Sequence, residues 1–289
     1  MNSAAQNRPI PRLAGVCGWP IHHSLSPVMH SYWLKEMGLP GAYIHFAVSP
    51  INAVDAFRTL KQTSISGVNV TLPLKSAAFK AADVATEEAQ KLGVANCLYK
   101  SRGQLVAHNT DLEGFAAPLV SKMGVERLQK ASVLVIGAGG ASRAVLAGLL
   151  SLGAPEVCLV NRTDSKAENL AEQVNVPSLY ALPWAQRQDA VARADLIINA
   201  SAAGMGGKPK LDLSLAQGRP GALVYDLIYT PRETLLMQDA KKHGMETLGG
   251  LEMLIAQGRP SFKLFFGKTP PGNLDPSETL FDALRTGRR

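Results

Sequence analysis

Cysteine is scarce: only Cys17, Cys97 and Cys158 occur in 289 residues. They are odd in number, far apart and each set among apolar, strand-like neighbours, which argues against a disulfide framework or a thiolate zinc site and fits reduced cytosolic thiols. No apolar run approaches the roughly 18 uninterrupted residues of a spanning helix, and residues 1–11 lack the apolar core of a secretory signal. A soluble, cytoplasmic protein is expected, with loose polar ends at 1–10 and 286–289. Aromatic residues make up 6% and charged residues 18% of the chain. No Arg/Lys stripe is interleaved with aromatics, so nucleic-acid binding is disfavoured. The net charge of +7 divides as +4 over residues 1–111 and +3 over 112–289, so neither part is a basic domain, and the mild excess suits small anionic ligands. Repeats and low-complexity tracts are absent too.

What is present is apolar material: 46% hydrophobic residues, enough for more than one core, so two domains are expected. Stretches 13–19, 43–48, 67–72 and 96–99 read as strands alternating with helical patterns. After the first, Ser26-Pro27 supplies an N-cap and a proline at the first helical position, and Val28, Met29, Tyr32, Trp33 and Met37 follow at helical spacing. Thr110-Asp111-Leu112-Glu113 has a capping-box pattern and opens a helix over 110–123. From residue 131 the pattern sharpens into strands at 132–136, 157–160, 196–199 and 222–227, separated by helices at 142–152, 165–173 and 233–243. Continuous apolar strands between helices require a buried parallel sheet, and the second domain is expected to be doubly wound. Gly249-Gly250 then precedes an apolar helix over 251–266 and a last helix near 277–284.

Gly137-Ala138-Gly139-Gly140-Ala141-Ser142 matches the first two glycines of a G-x-G-x-x-G turn, with Ser142 in the third place. It follows an apolar strand and opens a helix, so backbone N–H groups and the helix N-terminus converge on a pyrophosphate. About 20 residues on, where NAD enzymes carry an acid for the ribose hydroxyls, stand Asn161, Arg162 and Thr163. A guanidinium and a hydroxyl suit a 2′-phosphate, Lys166 adds charge, and NADP is favoured over NAD. A helix N-cap for Thr163 and a solvated surface for Arg162 are the plain alternatives.

Val68, Val70 and Leu72 alternate with Asn69 and Thr71, so one face of that strand is apolar while the other presents an amide and a hydroxyl. Pro73 is expected at the first position of a helix, which puts Lys75 in the first turn, where the dipole disfavours a cation. Lys75 reads either as a lysine snorkelling to water or as one held in a site for proton transfer. Asp111, in Asn109-Thr110-Asp111 at the expected domain junction, reads as a helix-dipole acid or as a cleft residue. Ser24 and Ser26 flank Leu25 before a helix N-terminus, a place suited to carboxylate binding, although capping alone would explain Ser26.

Taken together, Gly18-Trp19-Pro20 through His23-Ser24-Leu25-Ser26-Pro27, Asn69-Val70-Thr71-Leu72-Pro73-Leu74-Lys75, Asn109-Thr110-Asp111, the glycine turn with Arg143, Asn161-Arg162-Thr163 and Met253-Leu254-Ile255-Ala256-Gln257 resemble the shikimate dehydrogenase family, in order, over about residues 13–267. The resemblance implies an α/β fold: an N-terminal α/β substrate-binding and catalytic domain (1–111), a Rossmann-type NADP domain (112–248) and C-terminal helices (249–289) that pack back on the first. It implies NADPH-dependent, reversible reduction of 3-dehydroshikimate to shikimate in aromatic amino-acid biosynthesis, by a monomer or homodimer that needs no metal. By motif position, Lys75 and Asp111 are the catalytic pair. Ser24 and Ser26 hold the substrate carboxylate with Tyr229 near it, and Asn69, Thr71, Asn96, Asp111 and Gln257 bind ring hydroxyls. The cofactor would lie on Gly137, Ala138, Gly139, Gly140 and Ala141, on Asn161, Arg162, Thr163 and Lys166, and against Ser201, Met205 and Gly250.

Two positions depart from the family pattern. Relatives commonly read Asn-Thr at Asn96-Cys97, on the expected substrate wall, and Asn-Ala-Thr or Asn-Thr-Thr at Asn199-Ala200-Ser201, in the cofactor loop. Relatives resembling quinate dehydrogenases often carry Thr at the position of Ser26, and serine here favours shikimate. The alternatives are a quinate or aminoshikimate dehydrogenase of the same superfamily with NAD or dual cofactor use, and a non-catalytic dinucleotide sensor.

Overall fold

A computed structural model describes residues 10–287. They fall into two units, one running to Thr110 and resuming at Gly258, the other Asp111–Gln257.

The first unit begins with β1 (Arg12–Gly18), α1 (Ser26–Glu36), β2 (Gly41–Ala47), α2 (Ala53–Arg58), β3 (Ile65–Val70), α3 (Lys75–Ala81), β4 (Val84–Ala85), α4 (Glu87–Leu92), β5 (Cys97–Ser101) and β6 (Gln104–His108). The strands form one sheet in the order β2-β1-β3-β5-β6-β4. β1 pairs parallel with β2 and β3, whereas β5 pairs antiparallel with β3 and β6. The β5–β6 hairpin was not expected from the sequence. Its two-residue loop puts Arg102 (φ 49°) and Gly103 (φ 79°) in the left-handed region, which a tight hairpin of the right twist demands. Two helix starts also differ from expectation. Ser26 is the first helical residue and Leu25 the cap, with no side-chain cap bond, so the hydroxyl of Ser26 is not spent on capping. Pro73 precedes the helix instead of opening it: Leu72-Pro73 is a cis peptide bond, Leu74 takes the cap, and Lys75 is the first residue of α3.

The second unit continues with α5 (Asp111–Met123), α6 (Val125–Leu128), β7 (Ser132–Ile136), α7 (Gly140–Ser151), β8 (Glu156–Val160), α8 (Asp164–Val174), β9 (Leu179–Ala181), α9 (Arg187–Arg193), β10 (Leu196–Asn199), β11 (Leu223–Asp226), α10 (Leu235–Lys242), β12 (Glu246–Leu248) and the start of α11 (Gly250–Phe266). Its six strands are all parallel, in the order β12-β11-β10-β7-β8-β9. The chain winds outward in both directions from β7, the doubly wound arrangement expected, and the order reverses between β7 and β10. Along β7, Val133 and Val135 enter one apolar core and Leu134 and Ile136 the other, which is why this strand is apolar without alternation. Phe115 of α5 fills the groove over Gly148 of α7, where a Cβ would come within 2.7 Å of its ring, and stacks on Tyr225 at 5.4 Å.

From Gly258 on, α11 and α12 (Ser277–Thr286) belong with the first unit. There Phe262 and Phe265 join Trp33 and Tyr43 around His30, whose ring stacks on Tyr43 at 4.0 Å. His30 is fully buried and neither ring nitrogen has a partner, and burial pushes its pKa down to about 3. Below its ordinary value near 6.5 the unfolded chain therefore takes up a proton that the folded chain refuses. The stability contributed by the neutral ring is present above that value and declines as pH falls toward 3. The decline is expected to cost about 2 kcal/mol between pH 7 and pH 5. His30→Phe should remove that portion of the acid sensitivity when urea midpoints are compared at the two pH values, and an unchanged pH dependence in the variant would contradict the assignment.

Candidate functional site

In the first unit, β1 and β3 are parallel neighbours, and β6 runs the same way because β5 opposes both. Residues 19–25, 71–74 and 109–110 therefore leave the sheet from one end, the carboxyl end, where α/β sheets bind ligands. Gly18 and Thr71 sit against each other there: a Cβ on Gly18 would lie 2.7 Å from Cγ2 of Thr71. Ser24 Oγ accepts from the backbone N–H of Ser26 at 3.3 Å, and His45 Nε2 lies 3.0 Å from the carbonyl of Ser24. The hydroxyl of Thr71 makes no hydrogen bond among the described residues, and Lys75 is half-buried at the start of α3. The structure thus brings Ser24, Ser26, Asn69, Thr71, Lys75 and Asn96 to one end of one sheet.

Behind them lies a polar wall that sequence reasoning caught only in part. Asn69 is 6% exposed. Its Oδ1 accepts from the Tyr43 hydroxyl at 2.8 Å, and its Nδ2 donates to Ser261 Oγ at 2.8 Å and to the Asn96 carbonyl at 3.2 Å. Asn96 Nδ2 donates to Thr110 Oγ1 at 3.0 Å, while its Oδ1 accepts from the Thr110 N–H at 2.8 Å. Both amides are tied into the protein, which fixes their orientation. Tyr43 and Ser261 had no motif to reveal them, for one lies on an ordinary-looking strand and the other mid-helix. Desolvation raises the Tyr43 phenol well above its usual pKa, against a hydrogen bond from Ser26 that pulls it down. Cys97, expected on the substrate wall, is instead fully buried beside Ser261, with burial raising its thiol pKa.

In the second unit the glycine turn follows β7. Gly137 is at φ +108°, and a Cβ there would come within 3.0 Å of the Ser201 nitrogen, whereas a Cβ on Gly139 would meet nothing within 4 Å. The first glycine is thus required by packing and the second leaves room for a ligand. Ser142, standing where the fingerprint has glycine, is fully buried; its Oγ donates to the Gly137 carbonyl at 2.6 Å and accepts from the Gly139 N–H at 3.1 Å. The hydroxyl braces the turn. Asn161 links the same turn to the end of β8: its Oδ1 accepts from Ala138 N–H at 3.2 Å and its Nδ2 donates to the Thr163 carbonyl at 2.9 Å. Thr163 holds the cap position of α8 without a side-chain cap bond.

A cavity of about 390 Å³ lies at this reversal point, lined by Ile136, Gly137, Asn161, Arg162, Trp184 and Ser201 through Ala203, with Lys208 to Asp212 closing it. The lining from Trp184 and Lys208 to Asp212 escaped the sequence reading, because it comes from two loops with no glycine fingerprint. Ser201 Oγ donates to Asn199 Oδ1 at 2.7 Å and accepts from Ala203 N–H at 3.2 Å, so serine there closes a local turn. Asn199 Nδ2 in turn donates to Asp226 Oδ1 at 3.0 Å, and the buried Asp226 also accepts from Ile228 N–H and Thr234 Oγ1. Burial pushes its carboxyl pKa up against those three hydrogen bonds. Gly250 permits the start of α11 to reach Leu227, whose carbonyl would lie 2.1 Å from a Cβ at that position.

Asp111 opens α5, and one turn on Gly114 packs against Gln257 of α11, where a Cβ would come within 2.5 Å of the Gln257 Cβ. Tyr229 and Gln257 are half-buried, whereas Met205, Thr163 and Lys166 are exposed. Among the described residues, no group of three or more His, Cys, Asp or Glu is placed to hold a metal, and no helix is long and apolar enough to cross a membrane.

Residues 16–98 match the family described as the shikimate dehydrogenase substrate binding domain, 119–206 that described as shikimate / quinate 5-dehydrogenase, and 250–271 the shikimate 5′-dehydrogenase C-terminal domain. The shikimate dehydrogenase (NADP(+)) of Rhodospirillum rubrum is 41% identical over 264 residues, 90% of this chain and 93% of that protein. The crystal structure of shikimate 5-dehydrogenase from Thermus thermophilus in complex with NADP(H) and shikimate is similar with a TM-score of 0.80 at 34% identity, covering 95% of this chain and 99% of that one. A quinate dehydrogenase from Corynebacterium glutamicum in complex with NAD reaches a TM-score of 0.82 at 27% identity, over 96% and 99%.

Proposed function

The chain belongs to the shikimate dehydrogenase family, and from that premise we propose that it reduces 3-dehydroshikimate to shikimate reversibly with NADPH, using Lys75 and Asp111 as its catalytic pair. The observation that carries this reading is the near full-length likeness to NADP-dependent relatives together with Arg162 at the end of β8, where no acidic side chain stands. The glycine turn fits a dinucleotide, since space is open at Gly139. The first two backbone N–H groups of α7 face no intrahelical acceptor. When bound, the nicotinamide supplies or accepts the hydride at the ring carbon that bears the reacting oxygen. Lys75 gives a proton to that oxygen in the reductive direction and recovers it in the oxidative one, and Asp111 orients the exchange. Ser24 and Ser26 hold the substrate carboxylate, with Tyr229 near it. Asn69, Thr71, Asn96, Asp111 and Gln257 hold ring hydroxyls, Asn69 and Asn96 being pre-oriented by Tyr43, Ser261 and Thr110. The reaction serves aromatic amino-acid biosynthesis in the cytoplasm.

The quinate reading is favoured by one observation, a fold match as good as that to the shikimate enzyme. Initial rates at 340 nm with shikimate or quinate, each with NADP⁺ or NAD⁺, decide between them. The expected order places shikimate with NADP⁺ highest in kcat/KM; a preference for quinate with NAD⁺ overturns the proposal. Arg162→Ala is expected to raise KM for NADPH by about tenfold to a hundredfold, the size of a lost charge-assisted hydrogen bond, and to leave KM for NADH nearly unchanged. An equal effect on both would refute the role of Arg162.

A further inference from the structure

We propose that Lys208 and Lys210 form a second cationic arm that, with Arg162, grips the 2′-phosphate of the dinucleotide in the cavity all three line, an inference that rests on the NADP reading above. Both lysines line the same cavity as Arg162 and Asn161. They stand on a loop closed upon itself: Gly204 N–H donates to the Pro209 carbonyl at 2.8 Å and Lys208 N–H to the Met205 carbonyl at 2.8 Å, while Gly206 N–H ties the loop to Thr230 at 2.9 Å. Gly204 and Gly207 take positive φ values of 91° and 78° to make these turns, and Pro209 fixes the backbone between the two lysines. The ammonium groups are therefore presented from an anchored loop and lose less freedom on binding than those of a free tail.

The charge balance points the same way. Among the described residues, none of Arg162, Lys208 and Lys210 has a salt bridge or side-chain hydrogen bond. The one acid lining the cavity, Asp212, is already engaged by Arg187 at 2.7 Å. Three cations around one cavity repel one another, and a dianion placed among them relieves that repulsion. The end of β8 is where a dinucleotide fold reads the adenosine ribose. The pyrophosphate belongs at the start of α7, so the group that matches Arg162 and the two lysines is the 2′-phosphate.

Calorimetric titration of the full-length protein with adenosine 2′,5′-bisphosphate and with 5′-AMP tests this, comparing the parent with the double variant Lys208→Ala/Lys210→Ala and with Lys208→Arg/Lys210→Arg. The parent should bind the bisphosphate more tightly than 5′-AMP. The alanine pair should weaken the bisphosphate by about tenfold, shift 5′-AMP by less than about twofold, and flatten the salt dependence, and the arginine pair should restore binding. If the parent shows its preference and the alanine pair keeps it, the lysine arm is wrong while the NADP reading stands. Equal weakening of both nucleotides also overturns the arm, because the loop then serves the 5′-phosphate or the fold. A parent without the preference overturns the NADP reading and the arm with it.

Discussion

Lys75→Ala is expected to lower kcat by about 10²–10⁴-fold, the usual contribution of a positioned proton donor, while shikimate still binds with nearly unchanged affinity. The substitution is structurally mild. Lys75 is half-buried at the first position of α3, its carbonyl is held by the Ala95 N–H at 3.1 Å, and that bond survives any side chain. Alanine is also a good helix former, so a folding defect is not the expected outcome. The split between kcat and dissociation constant is what separates proton transfer from simple substrate binding: a lysine that only held the carboxylate or a hydroxyl would weaken shikimate in step with the rate. Steady-state rates with saturating NADP⁺, together with calorimetric binding of shikimate, make the measurement. A kcat within about tenfold of the parent would remove Lys75 from the chemistry.

Asp226→Ala is expected to destabilise the protein by about 3–5 kcal/mol, because it strips the acceptor from three buried donors at once. The carboxylate joins the ends of β10 and β11 through Asn199 and Ile228 and reaches Thr234 at 2.6 Å, just before α10. Alanine leaves the Ile228 N–H and Thr234 Oγ1 without that acceptor and Asn199 Nδ2 with only its 3.4 Å contact to the Ala203 carbonyl, and Asn199 then loses one of the constraints that aim its Oδ1 at Ser201. A urea titration should show the loss as a lower midpoint. Thr234→Val, which removes one donor and the cap on the Met237 N–H but leaves the carboxylate two other donors, should cost less. If Asp226→Ala moved the midpoint by less than the threonine variant, the carboxylate would not be the hub of this junction.

The doubly wound sheet was readable because its apolar strands carry no alternation and its first turn carries glycine where backbone must pass Ser201 closely. The hairpin between β5 and β6 was not, because Arg102 is an unusual residue for a left-handed turn position and gives no turn signal. Pro73 misled for a related reason: proline fits the first helical position and a cis turn equally well from sequence, and only the packing decides. Of the candidate site, the residues in contiguous motifs were legible. Tyr43, Ser261, Trp184 and the two loop lysines were not, since what recruits them is proximity in space between segments far apart in the chain.

The wall formed by Asn69, Asn96, Tyr43, Thr110 and Ser261 is built wholly of amides and hydroxyls, and its one ionisable member, the Tyr43 phenol, is held protonated far into alkali. Such a lining keeps the same donors and acceptors from mildly acidic to strongly basic solution. Any inflection in a rate profile across that span then originates outside this wall, in a lysine, a carboxylate, a histidine such as His45 beside Ser24, or the substrate, and the fixed amide scaffold serves as an internal standard against which those titrations are measured.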